Sequence, residues 1–141
     1  MGFVNKKGKL LALLPHIILF LFANSAQAGK VEPKPVSCWF FRGEKLELRQ
    51  TCIYESISWA GGWRATLTWN DGVKTIIASG VQGRGDKACE DTKVDNVCGI
   101  SYLRHPSTLK RLSEAEIDRI RMNNRKMVAC VQVVGNSVCY L

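Results

Sequence analysis

Six cysteines are the residues of this chain whose number and spacing point most directly to a chemistry. Cysteines serve as nucleophiles, as zinc ligands or as halves of disulfides. A zinc site is disfavoured, because the sequence contains no C-x-x-C pair and only one histidine after residue 28. An even number of cysteines also leaves no unpaired thiol for catalysis. We therefore expect disulfides among Cys38, Cys52, Cys89, Cys98, Cys130 and Cys139.

Spacing favours one of the 15 pairings that six cysteines allow. Cys130 and Cys139 would lie opposite each other if residues 133–136 formed the loop of a hairpin, at a distance that a disulfide tolerates. Cys38 and Cys52 flank another candidate hairpin, which would need a bulge to bring them together. The sequence therefore favours the sequential pairing, 38–52, 89–98 and 130–139.

His105 is the candidate for acid–base chemistry, since it is the only histidine after residue 28. A serine nucleophile could come from Ser101 or Ser107, but the G-x-S-x-G turn that exposes such a serine in many hydrolases is missing. Arg104-His105-Pro106 is more typical of a surface turn with a hydrogen-bonded imidazole. We therefore expect no catalytic residues, and a hydrolase that uses His105 is the alternative.

The segment 80–86, GVQGRGD, is rich in glycine, as phosphate-binding loops are. It lacks the lysine of a P-loop and the order G-x-G-x-x-G, so it is more typical of a flexible loop. With neither metal ligands nor a nucleotide motif, the sequence predicts no cofactor. An alternative role for this loop is inhibition of a lysozyme or a protease.

Positive charge and tryptophan supply the remaining candidates for binding. The chain has 20 basic and 12 acidic residues; three of the basic ones precede residue 29, so 17 remain against 12, a net charge of +5. Trp59 and Trp63 bracket residues 60–62, Ala-Gly-Gly, where aromatic rings could stack on a sugar, pack against a partner or fold back as a lid. Candidate binding residues are Trp59, Trp63, Arg104, His105, Lys110, Arg111, Arg119 and Arg121, and Arg125 and Lys126 extend the same basic band.

Residues 1–28 have the pattern of a cleaved signal peptide. Three lysines precede an apolar stretch, residues 10–22, and Ala26-Gln27-Ala28 is a small-x-small cleavage site. The apolar stretch is shorter than the roughly 20 residues of a spanning helix, so we expect no transmembrane anchor after processing. Export to the periplasm or the extracellular space would also provide the oxidising surroundings that disulfides need.

After the signal peptide, the pattern predicts an extended N-terminal lead at 29–37 and one β-rich domain at 38–141. Six to eight short strands form a small antiparallel barrel or sandwich, stapled by disulfides. One α-helix near 114–123 is indicated by Ser113 and Glu116, which have the spacing of a capping box.

The clearest hairpin is centred on Asp71-Gly72, which favours a type I′ turn with Leu67 opposite Ile76. The other register, with Leu67 opposite Thr75, pairs an apolar residue with a polar one and is disfavoured. Residues 80–98 are polar and glycine-rich, and we expect a loop there.

Four segments together resemble a family of small exported proteins of cyanobacteria: CWFFRGEKLELRQTC (38–52), TWNDGVKT (68–75), SYLRHPSTLKRLS (101–113) and CVQVVGNSVCY (130–140). The resemblance implies export and a cysteine-stapled fold, and it carries no catalytic residues. Ala78-Ser79-Gly80 is similar to the Ser-Gly signature of periplasmic inhibitors of C-type lysozyme, which are small β-barrels. Such lysozymes are strongly basic, and a domain of charge +5 would repel them unless its charge lay on the far side.

These observations predict an exported binding module without enzymatic activity. Its partner would be anionic: an acidic polysaccharide, a lipid headgroup or an envelope protein. Specific nucleic-acid recognition is not indicated. The alternatives are the hydrolase that uses His105 and the inhibitor that acts through residues 80–86.

Overall fold

The computed structural model describes residues 28–141, and eight strands and one helix lie within them. The predicted signal peptide, apart from Ala28, falls outside the described residues. No helix in the described part of the chain is long and apolar enough to cross a membrane. The elements are Lys30–Arg42 (β1), Lys45–Trp59 (β2), Gly62–Thr68 (β3), Lys74–Gly80 (β4), Thr92–Val94 (β5), Val97–Arg104 (β6), Glu114–Met122 (α1), Val128–Val133 (β7) and Asn136–Tyr140 (β8).

Every strand pairs in antiparallel fashion with the next, and β8 pairs with β1, so the sheet closes into a barrel. Consecutive hairpins are the simplest way to arrange short strands with turns between them. The prediction of a mainly β fold with one helix is therefore confirmed, and of its two forms the barrel is the one adopted.

Alternation along the strands divides the apolar residues into an interior cluster and an outer cluster. The interior cluster includes Leu67 and Ile77, which are fully buried. The outer cluster lies on the opposite face of β1, β7 and β8 and also contacts Tyr102 and Leu109. Its buried members are Trp39, Phe41, Val128, Cys130 and Cys139.

Arg104 closes the outer cluster and is only 2% exposed. Its guanidinium lies 4.0 Å from the Phe41 ring centroid, and its Nη1 donates to the Leu109 carbonyl oxygen at 2.8 Å. Its Nη2 lies 3.0 Å from Oε2 of Glu44. These contacts dock residues 105–112 on the barrel wall.

The three disulfides follow the sequential pairing that the spacing predicts. Cys130 and Cys139 are directly opposite in the β7–β8 hairpin, with a two-residue turn at 134–135. Cys38 and Cys52 belong to the interior cluster and join β1 to β2. Each such link stabilises a small domain by about 2–4 kcal/mol.

The preferred register of the β3–β4 hairpin was wrong by one residue: Leu67 lies opposite Thr75, not Ile76. Trp69 and Val73 bracket a three-residue loop in which Gly72 alone has positive φ, +84°, so the turn is not type I′. The pairing with Thr75 is favourable because its Oγ1 accepts a hydrogen bond from the Trp69 indole at 2.9 Å. The buried indole N–H and the buried hydroxyl are thereby both hydrogen-bonded. A comparison of the two registers by polarity alone does not include this bond.

The expectation of a loop throughout residues 80–98 was also incomplete, because β5 lies within this segment. Lys93 is only 3% exposed there, and its Nζ is 2.6 Å from Oδ2 of Asp86. The same ammonium donates to the Lys87 carbonyl oxygen at 3.1 Å. A lysine buried in a strand has no signature in the polarity pattern, so the strand was missed.

The segment 29–37 is largely part of β1, whose first half pairs with β2 and extends beyond β8. Ser37 exchanges both backbone hydrogen bonds with Leu141. Pro35, two residues earlier, faces the same side and has no N–H, so this open edge is a poor template for another strand.

The helix α1 begins at the predicted cap. The Ser113 hydroxyl accepts from the Glu116 N–H at 3.4 Å, and Oε2 of Glu116 accepts from the Ser113 N–H at 2.8 Å. No residue of α1 is buried, and Ile117 and Ile120 are half-buried. The capping box was therefore a sufficient signal for this helix.

We predict that Thr75→Val lowers the free energy of unfolding by about 1–3 kcal/mol, because the buried Trp69 indole N–H loses its acceptor. Thr51→Val on the exposed face of β2 is the matched control, with an expected change within about 0.5 kcal/mol. Urea unfolding followed by tryptophan fluorescence measures both. Equal effects of the two variants would contradict a role for this hydrogen bond.

Asp86 gives the fold a defined response to acid. The hydrogen bond from Lys93 is the main reason why the pKa of the Asp86 carboxyl is lowered. Its contribution to stability is therefore complete above the unfolded-state pKa, about 3.9, and is lost as the pH falls below it. We predict that Asp86→Asn lowers the urea midpoint at pH 7 and that its difference from the wild type shrinks below pH ~4. Asp118→Asn, on the exposed face of α1, should leave the midpoint unchanged at both pH values.

Candidate ligand site at the barrel mouth

The up-and-down order of the strands gives the barrel two unlike ends. The turns β1–β2, β3–β4, β5–β6 and β7–β8 lie at one end, here called the mouth. The connections β2–β3, β4–β5 and β6–β7, the last of which contains α1, lie at the other end. Short turns leave the mouth uncovered, whereas the longest connections gather at the opposite end.

A cup of about 640 Å³ opens at the mouth. Its buried apolar surface comes from Trp69, Val94, Val131 and Val138. Its more exposed apolar lining includes Leu48, Val73 and Val97, which are 44%, 57% and 46% exposed. A volume of this size falls within the range of small-molecule sites, about 300–1,000 Å³.

Side-chain size explains why the barrel is open at this end. Towards the other end the interior holds Trp63 and the stacked rings of Tyr54 and Tyr140, whose centroids are 5.3 Å apart. Burial raises the pKa of Tyr140 to about 12, and the neighbouring Tyr54 adds to this, so the Tyr140 hydroxyl stays protonated. The strands β7 and β8 present valines to the mouth instead, and valines leave space that aromatic rings would fill.

The polar lining of the cup is rich in hydrogen-bond acceptors. Oδ1 of Asp71 accepts from the Val73 N–H at 3.0 Å, and Oδ1 of Asp95 accepts from the Ile76 N–H at 2.8 Å. The second oxygen of each carboxylate has no hydrogen-bond partner within residues 28–141. No Lys, Arg or His is among the described residues that line the cup, and its other polar residues are Gln50, Asn70, Thr75 and Asn136.

Trp59 and Trp63, singled out in the sequence, flank the tight β2–β3 turn at the end opposite the mouth. Trp63 packs against the interior cluster, and Trp59 is half-buried. Gly62 pairs with Gly80, where φ is +75° and a Cβ would collide with the Gly61 carbonyl. The two glycines therefore allow the close backbone approach that sets the position of both indoles.

The basic candidates separate into docked and free side chains. Arg104 is buried, and Arg111 stacks 4.0 Å above the Tyr102 ring and donates to Oε1 of Gln132 at 3.3 Å. The remaining members are exposed and lie on or beside α1, at the end opposite the mouth: Lys110, Arg119, Arg121, Arg125 and Lys126. This exposed set is called the helix-end basic surface below.

His105 lines a small cleft of about 220 Å³ beside Arg119 and Glu116. Its Nδ1 accepts from the backbone N–H groups of Ser107 and Thr108, both at 3.2 Å. A neutral imidazole has one lone pair for this purpose, and in His105 the turn formed by Ser107 and Thr108 uses it. The hydrogen bonds from Ser113, and to a lesser degree the charge of Arg119, lower the pKa of Glu116.

The loop at 80–86 is fastened to the barrel. The Gln82 side chain donates to the carbonyl oxygens of Ser79 and Gly80, at 2.9 and 3.2 Å, and the Gln82 N–H donates to Asp86. The hydroxyl of Ser79, part of the Ser-Gly resemblance, donates to the Asp91 carbonyl oxygen at 3.0 Å. Within residues 28–141, no group of three His, Cys, Asp or Glu side chains is placed to hold a metal ion.

Sequence reasoning did not identify the residues of the cup. Asp71 and Asp95 were assigned to a turn and a loop, and the valines of β7 and β8 to a hairpin. The alternation of Val131, Val133 and Val138 was the available signal, since it marks a face of the β7–β8 hairpin on which valines lie near the turn and the larger Tyr140 lies further away.

Comparison of the chain with protein-family models, with curated proteins and with solved structures finds no match. The resemblances to the cyanobacterial exported proteins and to the lysozyme inhibitors therefore stay predictions.

Proposed function

We propose that this protein is an exported binding domain that holds one small, largely apolar ligand in the cup at the barrel mouth. The observation that carries the proposal is an open cavity of about 640 Å³ with an apolar lining at the end that no long connection covers. An eight-stranded barrel has an interior just wide enough either to be filled by side chains or to hold one small ligand.

The hydrophobic effect is large enough to retain such a ligand. Burial of about 250 Å² of apolar ligand surface contributes about 6 kcal/mol at about 25 cal/mol per Å². That corresponds to a dissociation constant in the tens of micromolar before the costs of association are subtracted and polar contacts are added. Two of the hairpins that form the cup walls, β1–β2 and β7–β8, are each closed by a disulfide. Little ordering of these walls is therefore needed when the ligand enters.

A binding role accounts better than catalysis for the polar groups of this domain. The lone pair of His105 is already used by its own turn, and the described residues form no metal cluster. Three disulfides indicate an oxidising environment, and we place the processed protein in the periplasm or outside the cell.

We predict that Val97→Trp, which puts an indole at the cup, weakens binding of the neutral dye Nile red at least about tenfold, since a rigid side chain would take the ligand's space. Val81→Trp is the matched control, because Val81 is 49% exposed and does not line the cup. Fluorescence titration of the dye measures both variants. Unchanged affinity in Val97→Trp, or equal loss in the control, would contradict the proposal.

A second candidate function is attraction of an anionic partner by the helix-end basic surface. Four of its cations, Arg119, Arg121, Arg125 and Lys126, are exposed, and none of them forms an ion pair within residues 28–141. Exposed cations without an ion pair contribute to the potential that steers acidic polysaccharides or headgroups, and Glu114, Glu116 and Asp118 on α1 offset part of that potential. Because this surface and the cup lie at opposite ends, one protein could use both.

We predict that the quadruple variant in which Arg119, Arg121, Arg125 and Lys126 are all replaced by Gln elutes from an immobilised acidic polysaccharide at a lower salt concentration than the wild type. The control removes the same number of charges elsewhere on the surface, at Arg49, Arg64, Lys74 and Lys87. A smaller shift in the control indicates a localised site. Equal shifts would show that only net charge matters and would contradict the second candidate.

A further inference from the structure

The cup differs in charge from the rest of the domain. The processed chain carries 17 basic and 12 acidic residues, yet the charged side chains that line the cup are Asp71 and Asp95. The remaining polar lining is formed by amides and one hydroxyl. A ligand that enters the cup therefore meets negative charge at the entrance and apolar surface below it.

We propose that the ligand is an amphiphile with an apolar body and a cationic amine, and that the amine faces the carboxylates of Asp71 and Asp95. This inference rests on the proposed function and adds the chemical class of the ligand. An ammonium group offers three donors and no acceptor, which complements carboxylate oxygens that only accept. An anionic head group would meet two like charges and no cation among the described residues of the lining.

Both carboxylates are held in place before a ligand arrives. Asp71 lies in the turn closed by the hydrogen bond from Gly72 to Trp69, and its Oδ1 is bound to the Val73 N–H. Asp95 lies in the β5–β6 turn, where its own N–H donates to the Ile76 carbonyl oxygen and its Oδ1 accepts from the Ile76 N–H. Each residue keeps one carboxylate oxygen without a partner in the described chain, so binding an amine requires little rearrangement.

Neighbouring polar groups support a donor-bearing ligand. Gln50 is half-buried on the cup lining, and its amide has no hydrogen-bond partner within residues 28–141. Thr75 accepts from the Trp69 indole, and its hydroxyl keeps a second lone pair that can accept from a ligand as well as one O–H that can donate. The cup thus offers a ligand several acceptor oxygens, of which two belong to carboxylates.

The test compares three probes that share one apolar body: adamantylammonium, adamantanol and adamantane carboxylate. Competition with Nile red and intrinsic tryptophan fluorescence report their affinities for the disulfide-bonded protein at pH 7. We expect the ammonium probe to bind about tenfold more tightly than the alcohol, since charge-assisted hydrogen bonds are roughly twice as strong as neutral ones. We expect the carboxylate probe to bind more weakly than the alcohol.

Asp71→Asn and Asp95→Asn remove the charges and keep the oxygen that accepts from the backbone, so the turns should be retained. Each single variant should lower the affinity for the ammonium probe about threefold. In the double variant, the affinities for the ammonium probe and for the alcohol should differ by no more than about twofold. Alcohol binding should be unchanged in all variants. Asp118→Asn, exposed on α1, is the control and should change neither probe.

The outcomes separate this inference from the function on which it rests. Equal binding of the ammonium and alcohol probes, or tighter binding of the carboxylate probe, overturns the cationic ligand and leaves the apolar cup intact. Failure of all three probes and of Nile red overturns both. If Asp71→Asn and Asp95→Asn unfold the protein, the comparison of the three probes on the wild type still tests whether the cup prefers a cationic ligand.

Discussion

The closing of the sheet between β1 and β8 is the constraint on which the rest of the structure depends. In this seam, Cys38–Arg42 of β1 pairs with Asn136–Tyr140 of β8, five residues on each side. Each strand of the seam is joined by a disulfide to its other neighbour, β1 to β2 through Cys38–Cys52 and β8 to β7 through Cys130–Cys139. Without the seam the backbone groups of both strands would be exposed as edges, and the interior cluster would be open to water. The links limit the freedom of the two hairpins that must meet there.

Closure also determines that there is a cup at all. Eight strands enclose a space that side chains of ordinary size only just fill. Trp63, Tyr54 and Tyr140 fill it at one end, and Val131, Val133 and Val138 do not fill it at the other. The valines of β7 and β8 near the mouth therefore leave space beside Phe40 and Trp69, the two aromatic residues that also line the cup.

Features that depend on local pattern could be predicted from the sequence, and features that depend on three-dimensional packing could not. The sequential disulfides, the capping box of Ser113 and Glu116 and the mainly β fold each arise from spacing over a short stretch. The register of the β3–β4 hairpin was decided by a buried hydrogen bond between Trp69 and Thr75, which no polarity comparison contains. The cup could not be predicted because it is formed by residues of all four hairpins, and its volume depends on how the barrel closes.

Two buried cations show why a count of basic residues overstates the charge available at the surface. Arg104 at the end of β6 and Lys93 in β5 are both almost fully buried, and each is bound to one carboxylate, of Glu44 and Asp86 respectively. Each also donates to a backbone carbonyl oxygen in an adjacent long connection, Arg104 to Leu109 and Lys93 to Lys87. A strand residue that would otherwise face water is thus used to attach a loop to the outer wall of the barrel. The exposed cations that remain are spread over the barrel wall and α1, whereas the charged side chains of the described cup lining are the carboxylates of Asp71 and Asp95, so the cup differs in charge from the surface around it.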